Sequence, residues 1–156
     1  MAIVVHAITQ KTPAWVTQAF QDYAGRCPRP WNIEYQATGL VKRVAGREQQ
    51  AREKEAQQVI NQLKPHDFLI GLDPLGTMQT SLEFSQSLSH LLDQSFRPIL
   101  LIGAPEGLTD SLKNKTQKLW SLGPLTLPHT LAKVVCAEQI FRAWSIHAGH
   151  PYHRGD

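Results

Sequence analysis

The chain finishes on "GHPYHRGD", Gly149 to Asp156, and this short stretch holds two imidazoles (His150, His153), a phenol (Tyr152) and a guanidinium (Arg154), stiffened by Pro151. Ends that serve only as ends are usually small and polar. Tyr152 and His153 offer stacking and hydrogen bonds while Arg154 offers a fixed charge, which together suit an unpaired RNA base and its phosphate. His147, His150 and His153 recur every three residues, but the predicted helix breaks between them and no acid or thiolate stands at ligand spacing. No metal site is expected.

Three backbone-rich turns form a second set of candidates. "PILLIGAPEGL" is a buried-strand run that breaks into Gly103, Pro105 and Gly107. "GLDPLG" and "SLGPLTLPH" follow two further strand-like runs. Ligands of open α/β sheets bind where strands end at their carboxyl edge, so the three turns are placed to converge on one pocket. The spacing Gly103-x-x-x-Gly107 is not the dinucleotide fingerprint, and no Gly-Lys-Ser/Thr follows to cradle phosphates. The ligand implied is one without phosphates. Leu122, Leu125 and Leu127, spaced by Gly123, Pro124 and Thr126, either plug a core edge or form an apolar slot for a flat ring.

These groups need positioning elements. Apolar, β-rich runs recur at Ile3–Ala7, Ile33–Ala37, Phe68–Leu72, Pro98–Ile102 and, less sharply, near Trp120–Leu122, each followed by helical spacing. That alternation predicts an α/β fold, a mainly parallel sheet flanked by helices. The first helix opens at Pro13, carries Trp15, Ala19, Phe20 and Tyr23 on one face, and stops before Pro28. A second, from about Arg47 to Leu63, is polar over two turns. The stretch Lys42 to Glu55 holds Lys42, Arg43, Arg47, Arg52 and Lys54 against Glu48, Glu53 and Glu55. It reads either as a solvated face of i,i+4 pairs or as a phosphate-contacting surface. Thr80 and Glu83 stand at capping-box spacing ahead of Leu88, Leu91 and Leu92.

The last helix runs from Thr130 to about His147, and its apolar residues (Leu131, Val134, Val135, Cys136, Ile140, Phe141, Trp144) nearly encircle the axis. A helix apolar on most sides is buried on most sides. With one sheet to cover, the second face points to a homodimer about a two-fold axis. Glu138 and Arg142 stand i,i+4 on this helix, as an ion pair that ties down an interface or positions substrate.

The chain has 156 residues, 42% of them hydrophobic, and reads as one domain, residues 1–156. A chain of this size buries roughly 70% of its unfolded surface. No apolar run approaches the length of a membrane span, ~18 residues. Met1–His6 lacks the basic start and cleavage site of a signal peptide. A cytoplasmic protein with no membrane partner is expected. Cys27 and Cys136 stand in unlike settings, "RCPRP" and "KVVCAEQIF", and suggest neither a disulfide framework nor a redox pair. The formal charge of +3 suits an anionic partner without requiring one.

"LLIGAPEGL", "WSLGPLTLPH", "AEQIFRAWSI" and "HPYHR", in that order and spacing, resemble the RlmH family, the 23S ribosomal RNA pseudouridine N3-methyltransferases of the SPOUT (trefoil-knot) class. The likeness spans nearly the whole chain. It implies an S-adenosylmethionine-dependent enzyme, a homodimer, a trefoil knot in the carboxyl-terminal third, and 23S rRNA in the assembled ribosome as substrate. Carried over by position, it places the cofactor on Leu72, Gly103 and Leu122, Gly123, Pro124, Leu125, Thr126 and Leu127. Where the family usually has a second glycine this chain has Ala104, whose methyl would either crowd the cofactor or demand a negative φ. Methylating an imide nitrogen requires placement, loss of the N3 proton, and a cation beside the developing charge. On this resemblance Arg154 and Arg142 take the electrostatic role, Tyr152 stacks or hydrogen-bonds, and His153 handles the proton. Gly155 and Asp156 take no role. The alternatives are a SPOUT methyltransferase of another RNA and a ribosome-binding dimer without chemistry.

Overall fold

The β-rich runs of the sequence pair into one five-stranded sheet in the computed structural model, which describes residues 2–154. Chain order is β1 (Ile3–Thr9), α1 (Ala14–Ala24), β2 (Ile33–Gly39), α2 (Glu48–Gln62), β3 (Asp67–Met78), α3 (Ser81–Asp93), β4 (Arg97–Ile102), α4 (Asp110–Lys115), β5 (Lys118–Ser121) and α5 (His129–Ala148), closed by a 3₁₀ turn at Pro151–Arg154. Spatial order is β2-β1-β4-β3-β5, and every pairing is parallel. Gly155 and Asp156 lie outside the described residues.

Both faces of a parallel sheet are covered, so its central strands are apolar throughout. Successive residues of β1 alternate between two cores: Ile3, Val5 and Ala7 meet α1, α3 and α5, while Val4 and Ile8 meet α2 and α4. β4 does the same, with Leu100 and Ile102 on the first side and Ile99 and Leu101 on the second. The capping box forms as its spacing predicts. Glu83 N–H donates to Thr80 Oγ1 at 3.1 Å, and Thr80 N–H donates to Glu83 Oε2 at 2.8 Å.

Three details differ from the sequence reading. On α1 the buried residues are Val16 and Phe20, one turn apart on the face toward the core, and Trp15 stands 52% exposed beside that face. The "GLDPLG" segment does not end its strand. β3 pairs with β5 up to Leu72, bulges, and pairs again at Thr77 and Met78. The extra residues interrupt the ladder locally and pairing then resumes, which periodicity cannot distinguish from a loop. On α5 the apolar residues divide: Cys136, Ile140 and Phe141 are buried, Val134, Val135 and Trp144 are half-buried, and Leu131 is exposed.

Resumed pairing after the bulge requires close backbone approach at Gly76, where an added Cβ would lie 2.7 Å from the carbonyl carbon of Trp120. Gly76→Ala is therefore expected to lower stability by about 1–3 kcal/mol. At Gly39 an added Cβ meets nothing within 4 Å. Gly39→Ala should change stability by less than about 0.5 kcal/mol. Thermal unfolding of the two variants checks the difference.

Candidate active site

All five strands point the same way, so the turns after β4 and β5 and the bulge of β3 emerge at one rim. There they enclose a cleft of about 210 Å³. Leu72, Gly103, Leu122, Gly123, Leu125, Thr126 and Leu127 line it; Pro124 is exposed and off its wall. Asp73, Pro74, His129 and Ala132 also line it. Leu122 and Leu127 pack on the core as well, whereas Leu125 is 80% exposed, so the leucines of this loop serve both the core edge and the cleft.

The turn after β4 is folded tightly on itself. Gly107 N–H donates to Ala104 O at 2.7 Å, and a Cβ on Gly103 would stand 2.9 Å from the Gly107 carbonyl carbon. Backbone thus forms the cleft wall at a place where any side chain would fill it. Ala104 is 3% exposed and packs into the second core; among the described residues only Ser95 combines a side chain with positive φ, so the Ala104 methyl is accommodated at negative φ. The turn after β5 is tied by Ser121, whose hydroxyl accepts from Gly123 N–H and donates to Gly123 O, both at 3.1 Å.

Charge at the rim is mostly committed. Asp73 faces Lys113 at 3.4 Å and accepts Leu75 N–H at 2.8 Å. His129 has a lowered pKa, from burial first and from neighbouring Lys133 second, and is neutral at physiological pH. Lys133 itself is 1% exposed, with Nζ donating to Thr12 Oγ1 at 3.1 Å and lying 5.6 Å over the Tyr35 ring. Glu106, in the turn after β4, points away from the cleft toward Arg43, which holds its carboxyl down at about 2.

The tail packs onto α5 around Glu138. Arg142 Nη2 and Nε donate to Glu138 Oε1 at 2.7 and 3.0 Å, and Tyr152 Oη donates to the same oxygen at 3.0 Å. The Arg142 guanidinium lies 5.0 Å over the Tyr152 ring, which meets Phe141 edge-on at 4.5 Å. Ser145 Oγ directs its proton to Arg142 O at 3.0 Å and therefore accepts from His153 Nδ1 at 3.1 Å. The neutral His153 ring then carries its lone pair on Nε2. Arg154 is exposed and, among the described residues, makes no ion pair. His147 instead packs on Trp31, and His150 on Trp144.

The sequence reading assigns no role in this cluster to Tyr23 and Arg26, of the first helix and its exit. Arg26 sits 4.9 Å over Phe141 and 5.2 Å over Tyr23. Arg26 also pairs with Asp22 at 2.6 Å, one helical turn away, and that local pair gives no sign of the contact with Phe141 far downstream.

Cleft and tail occupy opposite parts of α5. Glu138 follows His129 on one continuous helix. At ~1.5 Å of rise per residue, Glu138 lies roughly 14 Å along the axis from His129 and roughly 9 Å from Ala132, the cleft's last residue on α5. The hydrogen bond from the tail to α5 that comes nearest the cleft is the one to Glu138. One chain brings the two sets of candidates onto the same helix without bringing them together.

Burial, reinforced by the bond to Glu138, raises the Tyr152 phenol to about 12. Tyr152 therefore acts as a hydrogen-bond donor, not a base, at any physiological pH. A spectrophotometric pH titration, with Tyr152→Phe identifying the signal, should show its ionisation near 12 and a lower midpoint after Glu138→Gln.

Comparison with known proteins adds to this geometry. A family model described as "Predicted SPOUT methyltransferase" matches residues 1–153. The chain is 40% identical over 157 residues to "Ribosomal RNA large subunit methyltransferase H" of Dichelobacter nodosus, covering 99% of both chains. It is 41% identical over 155 residues to the protein of the same name in Coxiella burnetii, covering 99% of this chain and 100% of that one. Among solved structures, a probable methyltransferase from Bordetella pertussis superposes with a TM-score of 0.54 at 16% identity, over 91% of this chain and 94% of that one, a likeness of fold alone.

Proposed function

The chain belongs to the SPOUT methyltransferase family, and on that premise we propose that it methylates large-subunit ribosomal RNA at N3 of a pseudouridine in the assembled ribosome, with S-adenosylmethionine as donor. The observation that carries this reading is the cleft at the meeting of three turns, narrow, largely apolar and walled by backbone at Gly103. A flat purine fits between leucine side chains, with backbone N–H and C=O groups at its edge. Leu72, Gly103 and the 122–127 turn would hold the donor. When bound, S-adenosylmethionine supplies a methyl group made electrophilic by its sulfonium.

The remaining work falls to the tail. Tyr152, its ring backed edge-on by buried Phe141, holds the flipped base by stacking and hydrogen bonding. His153 Nε2, left with a lone pair by the Ser145 contact, receives the N3 proton. A positioned base contributes typically ~10²–10⁴-fold in rate. Arg154 stands beside the developing imide charge, and Arg142 supports it while fixing Tyr152 through Glu138.

Because the tail of a chain does not reach its own cleft, the active unit in this reading is a homodimer in which one subunit's tail meets the other's cleft. The half-buried neighbours Val134 and Val135 on α5, with exposed Leu131, Leu125 and Leu75 near the same rim, supply an apolar surface for that contact. The threading of the carboxyl-terminal third into a knot, and a single domain over residues 1–156, belong to the same reading.

Three measurements test it. Mass mapping of 23S rRNA from a deletion strain should show one pseudouridine lacking its methyl group, restored by this protein; an unchanged spectrum defeats the proposal. Mixing His153→Ala with Gly103→Val subunits, each inactive alone, should restore about a quarter of wild-type activity, since half of randomly mixed dimers keep one intact site of two. Arg154→Ala should reduce the slope of log K for RNA against log salt by roughly 0.7.

A further inference from the structure

Within the basic stretch Lys42–Glu55, Lys42, Arg47, Glu48, Glu53 and Lys54 are exposed, whereas Arg43 is committed to partners inside the protein. All five N–H donors of Arg43 are used. Nε donates to Glu106 Oε2 and Nη2 to Glu106 Oε1, both at 3.0 Å. Nη2 also donates to Glu55 Oε1 at 3.1 Å, and Nη1 donates to Val41 O at 2.8 Å and to Glu55 Oε2. Glu55 is 1% exposed on α2 and accepts a further bond from Val41 N–H at 2.7 Å. One guanidinium thus bridges two carboxylates, each in a two-point fork.

The two carboxylates differ in what they belong to. Glu55 is a fixed post inside the protein, on a helix packed against the sheet. Glu106 is part of the turn after β4, where Gly103, Ala104, Pro105 and Gly107 line the cleft and Glu106 turns outward. The turn is therefore held from within by its own backbone bond and from outside by a residue 63 positions away.

We infer that Arg43 is a positioning residue for donor binding: anchored on Glu55, it grips Glu106 and holds the Gly103–Gly107 turn in its binding shape before S-adenosylmethionine arrives. This rests on the function proposed above. A preformed turn loses less conformational freedom on binding, so the effect belongs to donor affinity. Lysine cannot replace Arg43, because a single ammonium does not fork to two carboxylates at once.

The test is calorimetric titration of the full-length protein with S-adenosylmethionine, with donor KM measured alongside. Arg43→Met would leave Glu55 buried without a partner and risks unfolding, so the informative variants are Glu106→Ala, which leaves the Arg43–Glu55 pair intact, and Arg43→Lys. Each should raise the donor Kd and KM by about 3- to 10-fold, the range of a good two-point ion pair at a partly exposed site. The double variant should be no weaker than the worse single one, because both break the same clamp. Affinity within about twofold of wild type for Glu106→Ala overturns the inference and leaves the proposed function standing. Additive losses also overturn it, showing that Arg43 and Glu106 act on donor affinity independently. If wild type itself binds no S-adenosylmethionine, the function and the clamp fall together.

Discussion

Parallel pairing of all five strands is the constraint on which the rest depends. Each strand leaves the sheet at the same edge, so segments far apart in sequence, the β3 bulge and the turns after β4 and β5, must meet there. The turns themselves carry few charged groups to draw them together. They converge because the buried residues of β1, β3 and β4 leave the sheet no other register. A shift by one position would carry the side chains of one core into the other.

Much of this is legible in the sequence, for identifiable reasons. The strand cores at Ile3–Ala7 and Pro98–Ile102 announce themselves because strands buried on both faces are nearly all apolar. Thr80 and Glu83 are legible because a capping box is local chemistry, completed within one helical turn. The convergence of the three turns follows from strand direction alone, and of the residues assigned to them all but Pro124 share one cleft. Sequence periodicity fails where tertiary contacts decide. Glu55 looks like a solvent-facing charge on a polar helix and is buried because Arg43, twelve residues away, covers it. Trp15 looks like core and is exposed. Beyond Leu72 the β3 chain looks like a loop, because pairing resumed by close backbone approach at Gly76 leaves no pattern in side-chain type.

Burial also separates groups that composition treats alike. Lys133 and Arg154 count equally toward net charge, yet the first is enclosed by two threonine hydroxyls and a tyrosine face while the second stands in solvent. The same holds for the histidines: His129 is kept neutral by its surroundings, and the tail imidazoles are distributed among Trp31, Trp144 and Ser145. An overall charge of +3 conceals this division of labour.

The 20 residues of α5 connect the wall of the cleft to the footing of the tail without interruption. Such a rod works as a gauge. Adding or removing one residue in its middle would swing everything beyond by about 100° and slide it by about 1.5 Å, carrying Tyr152 and His153 off to a different side of the molecule. The span between His129 and Glu138 therefore has no latitude in length.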